Sequence, residues 1–155
     1  MPPPRLRSYE ENVPEITKSG SIAPLIALLN ACGGIGRTEA AGALQNLALN
    51  NDNAVTIAEK NGIAPLIALL HKGSAEEKTE AAGALGNLAA NAGIAGDVVR
   101  LGGLSSLIVL VSEGSAESKK VASKALCGFA RNVEYADVIL REGGAALLAA
   151  LSVEE

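Results

Sequence analysis

The stretch Ile22-Ala23-Pro24-Leu25-Ile26-Ala27-Leu28-Leu29 returns unchanged as Ile63-Ala64-Pro65-Leu66-Ile67-Ala68-Leu69-Leu70, 41 residues further on. The same offset places Thr38-Glu39-Ala40-Ala41-Gly42-Ala43-Leu44 on Thr79-Glu80-Ala81-Ala82-Gly83-Ala84-Leu85, and Asn46-Leu47-Ala48 on Asn87-Leu88-Ala89. Between residues 20–60 and 61–101, about 20 of 41 positions are identical, with no gap. Another shift reaches Gly102-Gly103-Leu104 and the stretch 120–130, and a third reaches Gly143-Gly144-Ala145. A fixed period of this size marks a stack of units, each of which buries its apolar face only against its neighbours.

Composition supports helices as the repeating element. Of 155 residues, 48% are hydrophobic, which is too many for a disordered chain. Only 2% are aromatic while 28 are alanine, so the core is built from Leu, Ile, Val and Ala in close-packed helices. A net charge of −4 argues against a nucleic-acid partner, which needs a basic face to neutralise phosphates.

Each period reads as three helical pieces. The first is short, as in Asn53-Ala54-Val55-Thr56-Ile57-Ala58-Glu59-Lys60, and is expected to stop at Gly62. The second carries Pro65 in its first turn, where a missing N–H is tolerated, and runs through Leu66, Ile67, Leu69 and Leu70 to Gly73. The third opens on Ser74-Ala75-Glu76-Glu77, a capping-box pattern. It continues with Ala81, Ala84, Leu85 and Leu88, apolar at i, i+3, i+4 and i+7. In the first period Cys32-Gly33-Gly34-Ile35-Gly36 replaces the capping Ser and Glu, so that third helix is expected to start late, with Thr38 as its cap. This glycine-rich stretch lacks the Gly-Lys-Ser/Thr ending of a phosphate loop.

Gly62…Pro65-Leu66-Ile67-Ala68-Leu69-Leu70 and Ala81-Ala82-Gly83-Ala84-Leu85-Gly86-Asn87-Leu88-Ala89 resemble the armadillo repeat. The resemblance covers nearly the whole chain after Ser8 and implies an all-α, right-handed solenoid with three helices per repeat. In that frame residues 1–8 are a Pro/Arg tail and 9–155 the armadillo domain, with repeats at 9–49, 50–90 and 91–131 and a partial repeat at 132–155.

The resemblance also implies a groove lined by third helices that holds an extended segment of another protein. In the family an Asn on the third helix bonds the ligand's main chain, an amide side chain offering both an acceptor and donors to a peptide unit. Carried over by position, the ladder is Asn46 and Asn87, with Gly128 in the third repeat. Four residues earlier, where importin-alpha proteins carry Trp, this chain has Gly42, Gly83 and Lys124, so the aromatic slots for a nuclear localisation signal are missing. One turn earlier still lie Thr38, Thr79 and Lys120, so the face is expected to grade from neutral to basic. Lys119, Lys120, Lys124 and Arg131 form its basic end. The alternative for the asparagines is a bond to a neighbouring repeat's backbone. The mid-helix glycines are read as close approach of helices, or as a floor kept clear for ligand side chains.

No catalytic, metal or cofactor constellation stands out. His71 is the single histidine, at a second-helix C-terminus beside Lys72. Cys127 lies among Ala125, Leu126 and Phe129 and reads as a small buried hydrophobe. Glu10-Glu11 and Glu76-Glu77 are helix-start acids. Two distant cysteines, no apolar leader and a longest apolar run of eight residues point to a reducing compartment, cytoplasm or nucleus, and against membrane insertion. The partial fourth repeat is expected to leave Phe129, Leu147, Leu148 and Leu151 at an open end. That end suits either self-association or a place within a larger armadillo protein such as a ubiquitin ligase.

Overall fold

The computed structural model describes residues 20–31 and 33–153, without the side chains of 144–153. The tail expected at 1–8, the first helix of repeat 1, Glu10-Glu11, Cys32 and the side chains of Leu147, Leu148 and Leu151 lie outside the described residues. The elements are α1 (Ile22–Leu29), α2 (Ile35–Leu47), α3 (Asn51–Glu59), α4 (Ile63–Lys72), α5 (Ala75–Leu88), α6 (Ala92–Arg100), α7 (Gly103–Glu113), α8 (Ala116–Phe129) and α9 (Val133–Val153). No strand occurs among the described residues. The helical path of α9 breaks at Gly143.

The third helices α2, α5 and α8 pack in sequence on one another, and the second helices α4 and α7 back α5 and α8. Period 41 is visible in the core: Leu44, Leu85 and Leu126 have no exposed surface, and Ile57, Val98 and Ile139 form a parallel column, at most 1% exposed. Burying each such side chain stabilises the stack by roughly 1.5–3 kcal/mol. Ser123 stands where the other repeats have Ala41 and Ala82, and its buried hydroxyl has no hydrogen-bond partner among the described residues.

The local signals need three corrections. The helix before the second turn ends through Asn61, at φ 62°, and not at Gly62. Gly20 and Gly102 hold the same left-handed position one period to either side, a conformation Asn tolerates better than most residues. Gly62 is required by closeness instead: a Cβ there would lie 3.0 Å from the Ile57 carbonyl oxygen. The short first helices begin earlier than expected, because Asn50 and Asn91 accept hydrogen bonds from the Asn53 and Ile94 amides, each at 3.1 Å. Finally, α2 starts at Ile35 after Gly34, at φ 109°, with no side-chain cap. Thr38 lies inside its first turn, Oγ1 reaching the Gly34 carbonyl at 3.5 Å.

The expected capping box forms: Ser74 Oγ accepts from the Glu77 amide at 3.2 Å, and Glu77 Oε2 accepts from the Ser74 amide at 3.4 Å. Glu77 also joins repeats, since its buried carboxylate meets the Arg37 guanidinium at 2.9 Å. One period on, Ser118 stands in place of Glu77. Its Oγ lies 2.8 Å from Thr79 Oγ1 and 3.3 Å from the Ala75 carbonyl.

Glu77→Ala removes a cap and a buried partner of Arg37 together, so it should lower unfolding free energy by about 2 kcal/mol in urea denaturation. A loss below about 0.5 kcal/mol would place the pair with ordinary exposed salt bridges.

Candidate functional site

The residues expected to line a groove sit on α2, α5 and α8, and their environments differ. Asn46 is exposed, and its side chain makes no hydrogen bond among the described residues. Asn87 is half-buried, and its Nδ2 donates to the Gln45 carbonyl of the preceding repeat at 2.8 Å. The second asparagine therefore takes the neighbouring-backbone role with its donor. Thr79 is also engaged, donating to the Ala75 carbonyl at 2.8 Å beside Ser118. Lys120 and Lys124 are exposed and form no ion pair among the described residues.

The glycines divide by neighbour. A Cβ at Gly42 would lie 3.3 Å from the Glu80 carboxylate, and one at Gly83 would strike the Gln45 side-chain amide. Polar side chains from adjacent repeats thus lie across both. At Gly86 a Cβ would meet the Ala125 methyl at 3.0 Å and the Ala125 Cα at 3.3 Å, a close approach of α5 and α8. Gly128 differs: nothing lies within 4 Å of the corresponding point.

The first two repeats are not neutral along this face. Thr38 and Thr79 share a concavity of about 290 Å³ with Glu76, Glu80 and Glu117. Burial pushes the Glu80 carboxyl above the usual carboxylate range, and the neighbouring Glu39 and Glu76 push it further. The face thus changes from acidic to basic along the stack. Glu39 and Glu80 were legible as a repeated Thr-Glu-Ala-Ala, each Glu three residues before a glycine and so on the same helical face. Gln45 carried no comparable signal, because Gly86 and Cys127 replace it later.

A larger concavity, about 510 Å³, lies where α5 and α8 end and α6 and α9 begin. It gathers Asn87, Gly86, Gly128, Leu49, Arg131 and Tyr135 over an alanine floor. Two other expectations change. Phe129, assigned to an open end, is buried and packs edge-on against Tyr135, with ring centroids 6.3 Å apart. Cys127, expected inside, is exposed, because it lies on the outward face of α8 while Leu126 takes the core position. His71 is exposed with a ring nitrogen 2.7 Å from Ser106 Oγ. No cluster of metal-ligating side chains occurs among the described residues, and no single described helix is long and apolar enough to cross a membrane.

Residues 50–90 match the family described as Armadillo/beta-catenin-like repeat. Comparison with curated protein sequences gave no match. Among solved structures, the chain is similar to a designed armadillo repeat protein in complex with the peptide (KR)4: 29% identity and TM-score 0.82, covering 89% of this chain and 59% of that one. A computationally designed armadillo repeat protein for modular peptide recognition is similar at 28% identity and TM-score 0.78, covering 85% and 57%. An armadillo-repeats-only protein from Plasmodium falciparum shares the fold at 19% identity and TM-score 0.72, covering 93% and 68%. The chain thus spans slightly under three fifths of the length of these two designed proteins.

The two glycines at the larger concavity should respond oppositely to alanine. Gly128→Ala should stabilise by about 0.5–1 kcal/mol through helix propensity, whereas Gly86→Ala should destabilise as α5 is pushed from α8. Parallel urea titrations of the two variants read the difference, and equal signs would contradict the packing. Glu80→Gln should raise the melting temperature at pH 7. A carboxyl with a raised folded pKa binds its proton more tightly when folded, so its penalty grows as pH rises through that range. The gain should disappear at a pH below the carboxylate range; a pH-independent gain would show that charge is not its cause.

Proposed function

Because the chain is an armadillo-repeat protein, we propose that it is a non-catalytic binding module whose third-helix face holds an extended segment of a partner protein. The observation that carries this reading is the exposed amide of Asn46 on α2, which makes no hydrogen bond among the described residues, one period before the half-buried Asn87 on α5. Third helices packed about 8–10 Å apart span between two and three residues of extended chain, which rises about 3.3 Å per residue. Successive residues of an extended chain face opposite ways, so an amide every period meets an equivalent main-chain position at every second residue, and it bonds peptide units whatever the side chains between them. The peptide-binding designs among the similar structures support this use of the face.

Side-chain preference comes from charge. Lys120 and Lys124 are exposed on α8 and unpaired among the described residues, whereas Glu39, Glu76 and Glu80 crowd the earlier repeats. A partner segment acidic toward α8 and basic toward α2 is complementary to that arrangement. The same mixed field gives no continuous basic stripe for a nucleic acid. We assign no catalytic role to His71 or Cys127, since His71 leans on Ser106 and Cys127 lies 56 residues further along the chain. A cytoplasmic or nuclear setting fits this reading.

Affinity capture from a lysate of the native source, with wild type and the Asn46→Ala/Lys124→Glu variant as baits, tests the proposal. Both residues are exposed, so melting should be unchanged while a partner held by wild type falls at least about fivefold on the variant. Equal recovery of every partner on both baits would sink the groove mechanism.

A further inference from the structure

The concavity beyond Asn87 sets the side-chain preference of the bound segment, an inference that rests on the groove reading above. We propose that it receives one bulky apolar side chain of the partner, next to an acidic residue that pairs with Arg131. The third rung of the asparagine ladder is Gly128, and no described atom lies within 4 Å of the point where a Cβ there would stand. Gly86 is accounted for by the Ala125 contact, but no contact among the described residues requires a glycine at 128. The opening of about 510 Å³ that results lies in the range of small-ligand sites.

The chemistry of the walls selects the occupant. The floor is alanine, and Leu49 on the rim is 68% exposed, an apolar surface with no cover from the described residues. Arg131, on the same rim, is exposed and makes no ion pair among the described residues. Asn87 lines the same concavity, and its amide oxygen is an acceptor for an extended backbone. An apolar side chain enters over the alanines, and a neighbouring carboxylate meets the guanidinium in bidentate geometry.

Random dodecapeptides displayed on phage, selected on the whole chain, provide the probe. Fluorescence anisotropy then compares the enriched peptides on wild type, Gly128→Leu, Arg131→Glu and Asn46→Ala. The peptides are expected to share a large apolar residue adjoining Asp or Glu and to lose at least about tenfold in affinity for Gly128→Leu. That variant should melt no lower than wild type, since its new side chain meets open space and replaces a poor helix former. Arg131→Glu should weaken the same peptides, more so at low salt. Peptides that depend on Asn46 yet bind Gly128→Leu as tightly as wild type would overturn the pocket and leave the groove standing. Peptides indifferent to all three variants, or a selection with no enrichment, would overturn both.

Discussion

Third helices lie side by side at helix-packing distance only when the residues between them are small, and the rest of this molecule depends on that condition. Ala40, Ala41, Ala81, Ala82, Ala84 and Ala122 fill the seams at 1% exposure or less. Alanine contributes little apolar area per residue, so the larger share of burial falls to the leucine and β-branched columns behind the seam. That division of labour accounts for a chain with 28 alanines and a single phenylalanine. It also brings one helix's side chains within reach of the next helix's backbone, which is how Asn87 finds the Gln45 carbonyl.

Closeness has a second consequence at the N-terminal ends of the same helices. Each boundary must satisfy helix-start donors where solvent is largely excluded, and the two boundaries do so differently. The first uses an ion pair folded into a capping box, Arg37 with Glu77. The second uses neutral hydroxyls, Thr79 with Ser118. A repeat array gains stability as a sum of unit and nearest-neighbour contributions. The buried pair carries a desolvation cost that the hydroxyl network avoids, so the two boundaries differ in pH and salt response more than in geometry.

The architecture was readable because it rests on periodicity, and a period is a property of sequence. Exact recurrence of Ile22–Leu29 and the leucines at 44, 85 and 126 located the helices and the core before any coordinates. What escaped lay in residues whose role is set by a neighbour one period away. Asn61 and Gly62 show this: the turn needs one residue in the left-handed region and one without a Cβ, and the sequence pattern does not say which position takes which task. Cys127 and Phe129 exchanged expected places because a helix places adjacent residues about 100° apart, and two positions decide between seam and solvent. Of the candidate groove residues, Asn46, Lys120 and Lys124 are exposed and make no side-chain bond among the described residues, while Thr79 and Gly83 are occupied by the next or previous repeat.

A strictly periodic face has a weakness as a recognition surface: shifting an extended ligand by one repeat recovers the same contacts, so the bound register is undefined. Specificity must then come from places where the period breaks, since only there does a shifted ligand lose something. In this chain the breaks gather on α8, where lysines replace Thr38 and Thr79 and Gly42 and Gly83, and where Gly128 replaces Asn46 and Asn87. The first two repeats, 20 identities in 41 positions, would offer a partner similar main-chain contacts under the proposed function, differing in that the Asn87 donor is already spent on Gln45. The third would supply the larger differences. On that reading the solenoid divides affinity and register between repeats, with the register carried by the repeat that resembles the others least.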